Sequence, residues 1–285
     1  MERIVRFTPY SFLQCPMPNF LVEPWTIGLA LNTALLLPAY LSPKKLLTPE
    51  GTLHAWVLGV LLYGCLGWQA YGLMMVYFLA GSAVTRIGMA EKEAEGIAEK
   101  RSGARGPENV WGSALVAALC AIGFWMVKVW NYRELMQFGT LPPWAVTLPP
   151  LLLLAYTSSI ATKLSDTAAS EIGKAYGKRT FLITTLKPVS RGTEGAVSLE
   201  GTIAGVIASV FIAAIAWALG LIPHQYPIGV GICVVAAFVA TNLESVIGAT
   251  IQEQFDWLTN ELVNVINTAI GAVVAIVIGL LVSGR

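Results

Sequence analysis

Charge is scarce in this chain. Only 12% of its 285 residues are Asp, Glu, Lys or Arg, while 55% are hydrophobic; an ordinary soluble protein carries about twice that share of charge. So apolar a composition excludes intrinsic disorder, because such a chain does not stay solvated. A basic excess is also missing. The formal net charge is +1, which argues against a nucleic-acid partner, since neutralising phosphates needs a surplus of Lys and Arg. The four cysteines (Cys15, Cys65, Cys120 and Cys233) lie far apart, without a CxxC or a metal-ligand spacing. They read as small hydrophobes rather than as a disulfide framework. Histidine occurs only at His54 and His224. No GxxxxGK(S/T), GxGxxG or HExxH pattern is present. The N-terminus lacks the charged, apolar and cleavage regions of a leader, as expected of a bacterial or already processed chain.

What the chain does have is a succession of long apolar runs, with a mean hydropathy of +0.66. Crossing a hydrocarbon core of ~30 Å takes about 20 residues of helix. Such stretches run from Trp25 to Leu41, Val110 to Trp130, Trp144 to Leu164, Thr202 to Ile222, Ile228 to Thr250 and Leu262 to Val282. The run from Leu53 to Ile87 is too long for one helix, and Gly64 with Gly67-Trp68 marks a tight hairpin inside it. The expected fold is therefore all-α: a polytopic membrane protein of about eight helices. Residues 1–24 form an N-terminal segment ahead of a single multi-span domain over 25–285. Trp25, Trp68, Trp111, Trp130 and Trp144 near span ends suit an interfacial aromatic belt.

Eight spans collect segments 42–52, 86–109, 163–201 and 251–261 on one face. Of the 18 Lys and Arg residues, thirteen fall there and five on the other face. The bias makes the first face cytoplasmic and puts both termini on the opposite side. Most acids share the basic face, and Asp166 and Asp256 are the only aspartates. Residues 91–100 read as a short solvated amphipathic helix. Arg101 and Arg105, among small residues just ahead of Asn109, suit an anion at the membrane surface.

The most informative stretch runs from Thr162 to Gly205. At 100° per residue, Thr162, Asp166, Ala169, Ser170, Gly173 and Gly177 share one helical stripe. A row of small residues can be a seam where another helix approaches closely. Asp166 calls for more, because an acid at a span end is costly and usually functional. Glu171 points roughly 140° away from it. Beyond the helix, Lys187 and Arg191 offer cationic donors, and Gly192 and Gly195 let backbone amides approach an oxyanion. Ser198 to Thr202 lead into a helix start. Those are the parts a phosphate site needs.

These residues carry a family likeness. The motif from Leu164 through Asp166, Ser170, Glu171, Gly173, Lys174, Gly177 and Lys178, then Lys187, then Arg191-Gly-Thr-Glu194-Gly-Ala-Val-Ser198-Leu-Glu200-Gly201, closely resembles the phytyl-phosphate kinases of vitamin E (tocopherol) synthesis. Arg105-Gly106, Asn109, the run Asn242-Leu-Glu244-Ser245 and the run Asn260-Glu261 to Asn264 and Asn267 match as well. The likeness extends over essentially all of the chain after Trp25. That group is similar to phytol and dolichol kinases and, more distantly, to CDP-lipid synthases. Other branches carry Asp where this chain has Glu194 and Glu244, which points to the plant and cyanobacterial branch. The resemblance implies transfer of a phosphoryl group from a nucleoside triphosphate, CTP in the first instance, to phytyl monophosphate. It also implies Mg²⁺, a prenyl phosphate lipid as partner, and a cyanobacterial inner or thylakoid membrane rather than a plastid envelope.

The chemistry required by such a reaction agrees with the residues. Phosphoryl transfer depends on positioning, Mg²⁺ and cationic clamps. Asp166, Lys187 and Arg191 are the expected catalytic groups, and Asp166, Glu194 and Glu244 the expected metal ligands. Arg105, Asn109, Ser170, Lys174, Lys178, Gly192, Thr193, Gly195, Ser198 and Asn264 are the expected phosphate contacts. A site poor in histidine suits an acceptor that is already an anion, although Asp166 could serve as the base for phytol or another prenol. A transporter of small anions is the rival reading, since Glu244 sits inside a span; no inverted repeat supports it.

Overall fold

The computed structural model describes residues 17–42 and 46–283. The basic pair Lys44-Lys45, Cys15 and most of the expected 1–24 segment lie outside the described residues. Helices α1 (Met17–Leu41), α2 (Pro49–Leu66) and α3 (Trp68–Arg86) are followed by the short α4 (Met89–Ala94). Then come α5 (Pro107–Phe138), α6 (Pro143–Tyr176), α7 (Leu199–Ala218), α8 (Ile228–Thr250) and α9 (Asn260–Ser283). The all-α membrane expectation holds. Among the described residues eight helices have 18 residues or more, and six of these are long and apolar enough to cross a membrane. The two left out are α2 and α3, of 18 and 19 residues, which at 1.5 Å per residue rise about 27–28 Å.

The expected hairpin is a single residue. Gly67 lies between α2 and α3 with φ +82°, a backbone region that L side chains resist. Thr48 opens α2 by accepting the Gly51 N–H on its hydroxyl at 3.0 Å, and Ser198 opens α7 by accepting that of Gly201 at 3.1 Å. Between α6 and α7 the structure departs from the all-α expectation. Residues Thr180–Leu182 (β1) pair antiparallel with Ala196–Ser198 (β2). The β-branched and aromatic Thr180, Phe181 and Val197 favour the pairing, which ties the phosphate-loop candidate down at both ends.

The core forms where α2, α3, α5, α6 and α7 meet, around the fully buried Leu62, Leu73, Ala121, Tyr156 and Ile212. Tyr156 donates its hydroxyl to the Ala70 carbonyl at 2.8 Å, so its polar end is satisfied inside the bundle. The small-residue stripe of α6 is largely a packing seam. A Cβ on Gly205 would lie 3.0 Å from the Ser165 carbonyl oxygen, and one on Gly201 would run into that of Ala169. Gly173 and Gly177 face Ser198 across the same seam. Thr162, higher on the stripe, meets Gly271 of α9 instead. α6 is therefore the central helix, with its small residues spent on α7 and α9.

Candidate functional site

Where α3, α6 and α8 end and α5, α7 and α9 begin, the bundle opens into a cavity of about 750 Å³. The expected carboxylates meet there around a lysine that the sequence reading did not single out. Lys163 Nζ donates to Asp166 Oδ2 and to Asn264 Oδ1, both at 2.6 Å. Glu244 of α8 faces Asp166 and Lys163, with Glu194 nearby. Three carboxylates and a buried ammonium thus converge from α6, α8 and the β-hairpin connection. The signal for Lys163 was its spacing: it stands three residues before Asp166, within reach along one helical face.

Most expected site residues line this cavity: Arg105, Asn109, Asp166, Ser170, Lys174, Arg191, Gly192, Thr193, Glu194, Gly195, Ser198, Glu244 and Asn264. Lys187 and Lys178 do not. Both are exposed and outside the lining, Lys178 just past the end of α6 and Lys187 in the tip of the β-hairpin. The hairpin accounts for it. The Leu182 N–H donates to the Lys187 carbonyl at 3.0 Å and folds that tip back on β1. The expected catalytic role of Lys187 and phosphate contact of Lys178 therefore have no support in the geometry.

Several retained residues are employed structurally. The Ser198 hydroxyl caps α7. Asn109 Oδ1 accepts the Gly106 N–H and Arg101 Nη2, each at 3.0 Å, and Arg101 also pairs with Glu108. Arg191 pairs with Glu95 and donates to the Ala175 carbonyl at 3.1 Å. Gly192 (φ +82°) packs on Ile97, and a Cβ on Gly195 (φ +73°) would lie 2.6 Å from the Ser245 carbonyl oxygen. The glycines serve turn geometry and close packing. Among the described residues Arg105 enters no ion pair; it donates to the Tyr77 hydroxyl at 3.0 Å. A charged donor without a carboxylate is the group most available to an incoming phosphate.

Residues 91–100 are not the solvated helix that their charge pattern implied. Lys92 is 1% exposed, pairs with Glu171 of α6 and donates to the Thr85 carbonyl at 2.8 Å. α4 thus spans α3 and α6 with its lysine turned inward, and Glu95 and Ile97 then meet the β-hairpin connection beside the cavity. The direction expected of Glu171, roughly 140° from Asp166 around α6, agrees with this partner. In the asparagine stripe of α9, Asn260 and Asn264 line the cavity, whereas Asn267 is buried with no hydrogen-bond partner among the described residues.

The fold and this cavity define an integral, multi-pass helical membrane protein with a polar site of both charge signs at one end of its bundle. Sequence comparison is more specific. Residues 32–272 match the family described as integral membrane protein DUF92, and the chain belongs to that family. It is 57% identical over 256 residues to the membrane protein sll0875 of Synechocystis, covering 90% of this chain and 92% of that one. With the chloroplastic protein VTE6 of Arabidopsis thaliana it shares 46% identity over 222 residues, or 75% of this chain and 61% of the plant protein's length. The membrane protein MJ0933 of Methanocaldococcus jannaschii is 31% identical over 85% of the chain and 90% of its own. The family likeness read from the motif over residues 164–201, with its plant and cyanobacterial branch read from Glu194 and Glu244, is thus borne out. No solved structure matches the chain.

Proposed function

We propose that the protein is a membrane kinase that transfers the terminal phosphoryl group of a nucleoside triphosphate, CTP by resemblance, to phytyl monophosphate, giving phytyl diphosphate for tocopherol synthesis. The observation that carries this reading is the convergence of Arg105, Lys163 and Lys174 with Asp166, Glu194 and Glu244 in one cavity. In the reaction an oxygen of the acceptor phosphate bonds to the γ-phosphorus as its bond to the nucleoside diphosphate breaks. Arg105 and Lys174 bind the negative phosphates, and Lys163 holds Asp166 and Asn264 in fixed orientation.

No base is needed for a monoester whose second pKa is about 6, and neither histidine lines the cavity. Among the described residues there is no group of three or more His, Cys, Asp or Glu poised to hold a metal ion. Mg²⁺ does not require one, since it takes one or two carboxylates and completes its shell with water and substrate phosphates. The facing pair Asp166 and Glu244, with Glu194 close by, fits that chemistry. Mg²⁺ there would neutralise the charge of the transferring phosphates.

The test is an assay of the purified protein with Mg²⁺, each of four nucleoside triphosphates, and phytol or phytyl phosphate, with products identified by mass. Phytyl phosphate is expected to be the better acceptor. Efficient phosphorylation of phytol with none of phytyl phosphate would overturn the assignment.

The same reading places the cavity end of the bundle in the cytoplasm of a bacterial inner or thylakoid membrane, with eight spans. In a functional cysteine-free variant, Glu99→Cys and Thr193→Cys are expected to react with an impermeant maleimide from the cytoplasmic side only. Labelling of the two from opposite sides would remove both the span count and the shared site.

A further inference from the structure

A second, smaller cavity of about 70 Å³ lies beside the polar one, enclosed by α1, α2, α3 and α5. Its walls are mostly apolar, with Leu58, Met74, Met75, Phe78 and Val110 among them. The two cavities share Arg105, Asn109 and Ser113, so they adjoin at Arg105, the one cationic side chain of the polar cavity's lining that enters no ion pair among the described residues. Arg105 is held at that junction by the Tyr77 hydroxyl, with its guanidinium 5.5 Å from the Tyr77 ring centre and 5.8 Å from that of Phe78. From Tyr77 to Tyr71 the cleft follows α3 into the bundle for about 9 Å. Its far end offers no polar group in need of a partner. Tyr71 donates to Asn32 Oδ1 at 2.9 Å, and Asn32 Nδ2 donates to the Trp56 carbonyl at 2.6 Å.

A cationic mouth on an apolar cleft recognises an anionic head with a hydrocarbon attached. We infer that this cleft holds the phosphate-proximal isoprene unit of the lipid acceptor, with Arg105 on its phosphate. The inference rests on the prenyl-phosphate reading above. The other route for a tail would pass Val206 and Phe238, which also line the polar cavity. Those two belong to α7 and α8, on a wall that otherwise presents glycines and the polar Thr202, Thr241, Asn242, Glu244 and Ser245, and so offer no comparable apolar enclosure.

The experiment uses full-length protein in lipid nanodiscs and a phytyl monophosphate carrying a diazirine on its phosphate-proximal isoprene unit. After irradiation, labelled peptides are mapped with and without excess unmodified phytyl phosphate. Label that the competitor removes is expected at Met74–Phe78 of α3 and Val110–Ala114 of α5. Competed label at Val206 or Phe238 instead, or none in α3 and α5, would overturn the inference. Met74→Trp, which fills the cleft, is expected to cut the competed label on α5 at least about tenfold; undiminished label would count against it. Nucleoside diphosphate release is measured separately. Competed label in the cleft without turnover upholds the lipid site and removes the kinase, whereas turnover with label elsewhere does the reverse.

Discussion

Turnover of the Asp166→Asn protein is expected to fall by about a hundred- to a thousand-fold, the usual cost of losing transition-state electrostatics. Asp166 is 7% exposed, pairs with Lys163 and faces Glu244 across the cavity. Asparagine keeps its volume and still accepts the Lys163 hydrogen bond, and Lys163 keeps Asn264 as a second acceptor. The chain should therefore still fold, which size-exclusion profile and thermal unfolding in detergent would verify. What disappears is the negative charge that would hold a metal among phosphates. Asp256→Asn serves as the control, because Asp256 is exposed between α8 and α9 and outside the cavity lining. Near-normal turnover of a folded Asp166→Asn protein, or greater sensitivity at Asp256, would dismiss Asp166 from the site.

The largest effect on stability is expected at Lys92. Replacing it with methionine leaves Glu171 without its principal counter-ion in a buried position, since Lys174 approaches that carboxylate only at 3.9 Å. Removing one partner of a buried pair costs about 3–5 kcal/mol, while replacing both by apolar groups is often neutral. Lys92→Met should therefore lower the thermal midpoint clearly, and Lys92→Met combined with Glu171→Leu should recover most of the loss. A midpoint unchanged by Lys92→Met would show that α4 is not anchored as described. Because α4 leads to Glu95 and Ile97, which meet Arg191 and Gly192, the single variant should also loosen the cavity rim and reduce turnover.

Much of the architecture follows from the sequence alone. Apolar runs near membrane length marked the long helices, since a buried backbone in lipid has to satisfy its own hydrogen bonds. Gly67 marked the break between α2 and α3, because its φ of +82° is open to glycine at little cost. The motif from Leu164 to Thr202 marked the site region, and nine of its eleven candidate residues line the cavity. Periodicity tells which residues share a helical face, but not what that face meets. Thus the α6 stripe read as a candidate packing seam without a partner, and the tertiary structure supplies the partners, Ser198 for Gly173 and Gly177 and Gly271 for Thr162. Charge pairing is equally invisible along the chain when its partners are distant in sequence. Lys92 reads as a solvated residue until Glu171, 79 positions away, is brought beside it. Lys163 reads as one more positive charge until α9 supplies Asn264. Lys187 looks like a clamp in a loop, and only the pairing of β1 with β2 carries it away from the cavity. Local chemistry and spacing determined the elements and the kinds of residue at the site. The packing of α6 against its neighbours decided which of them meet, because an ion pair or a ligand contact depends on side-chain directions that one helix cannot set alone.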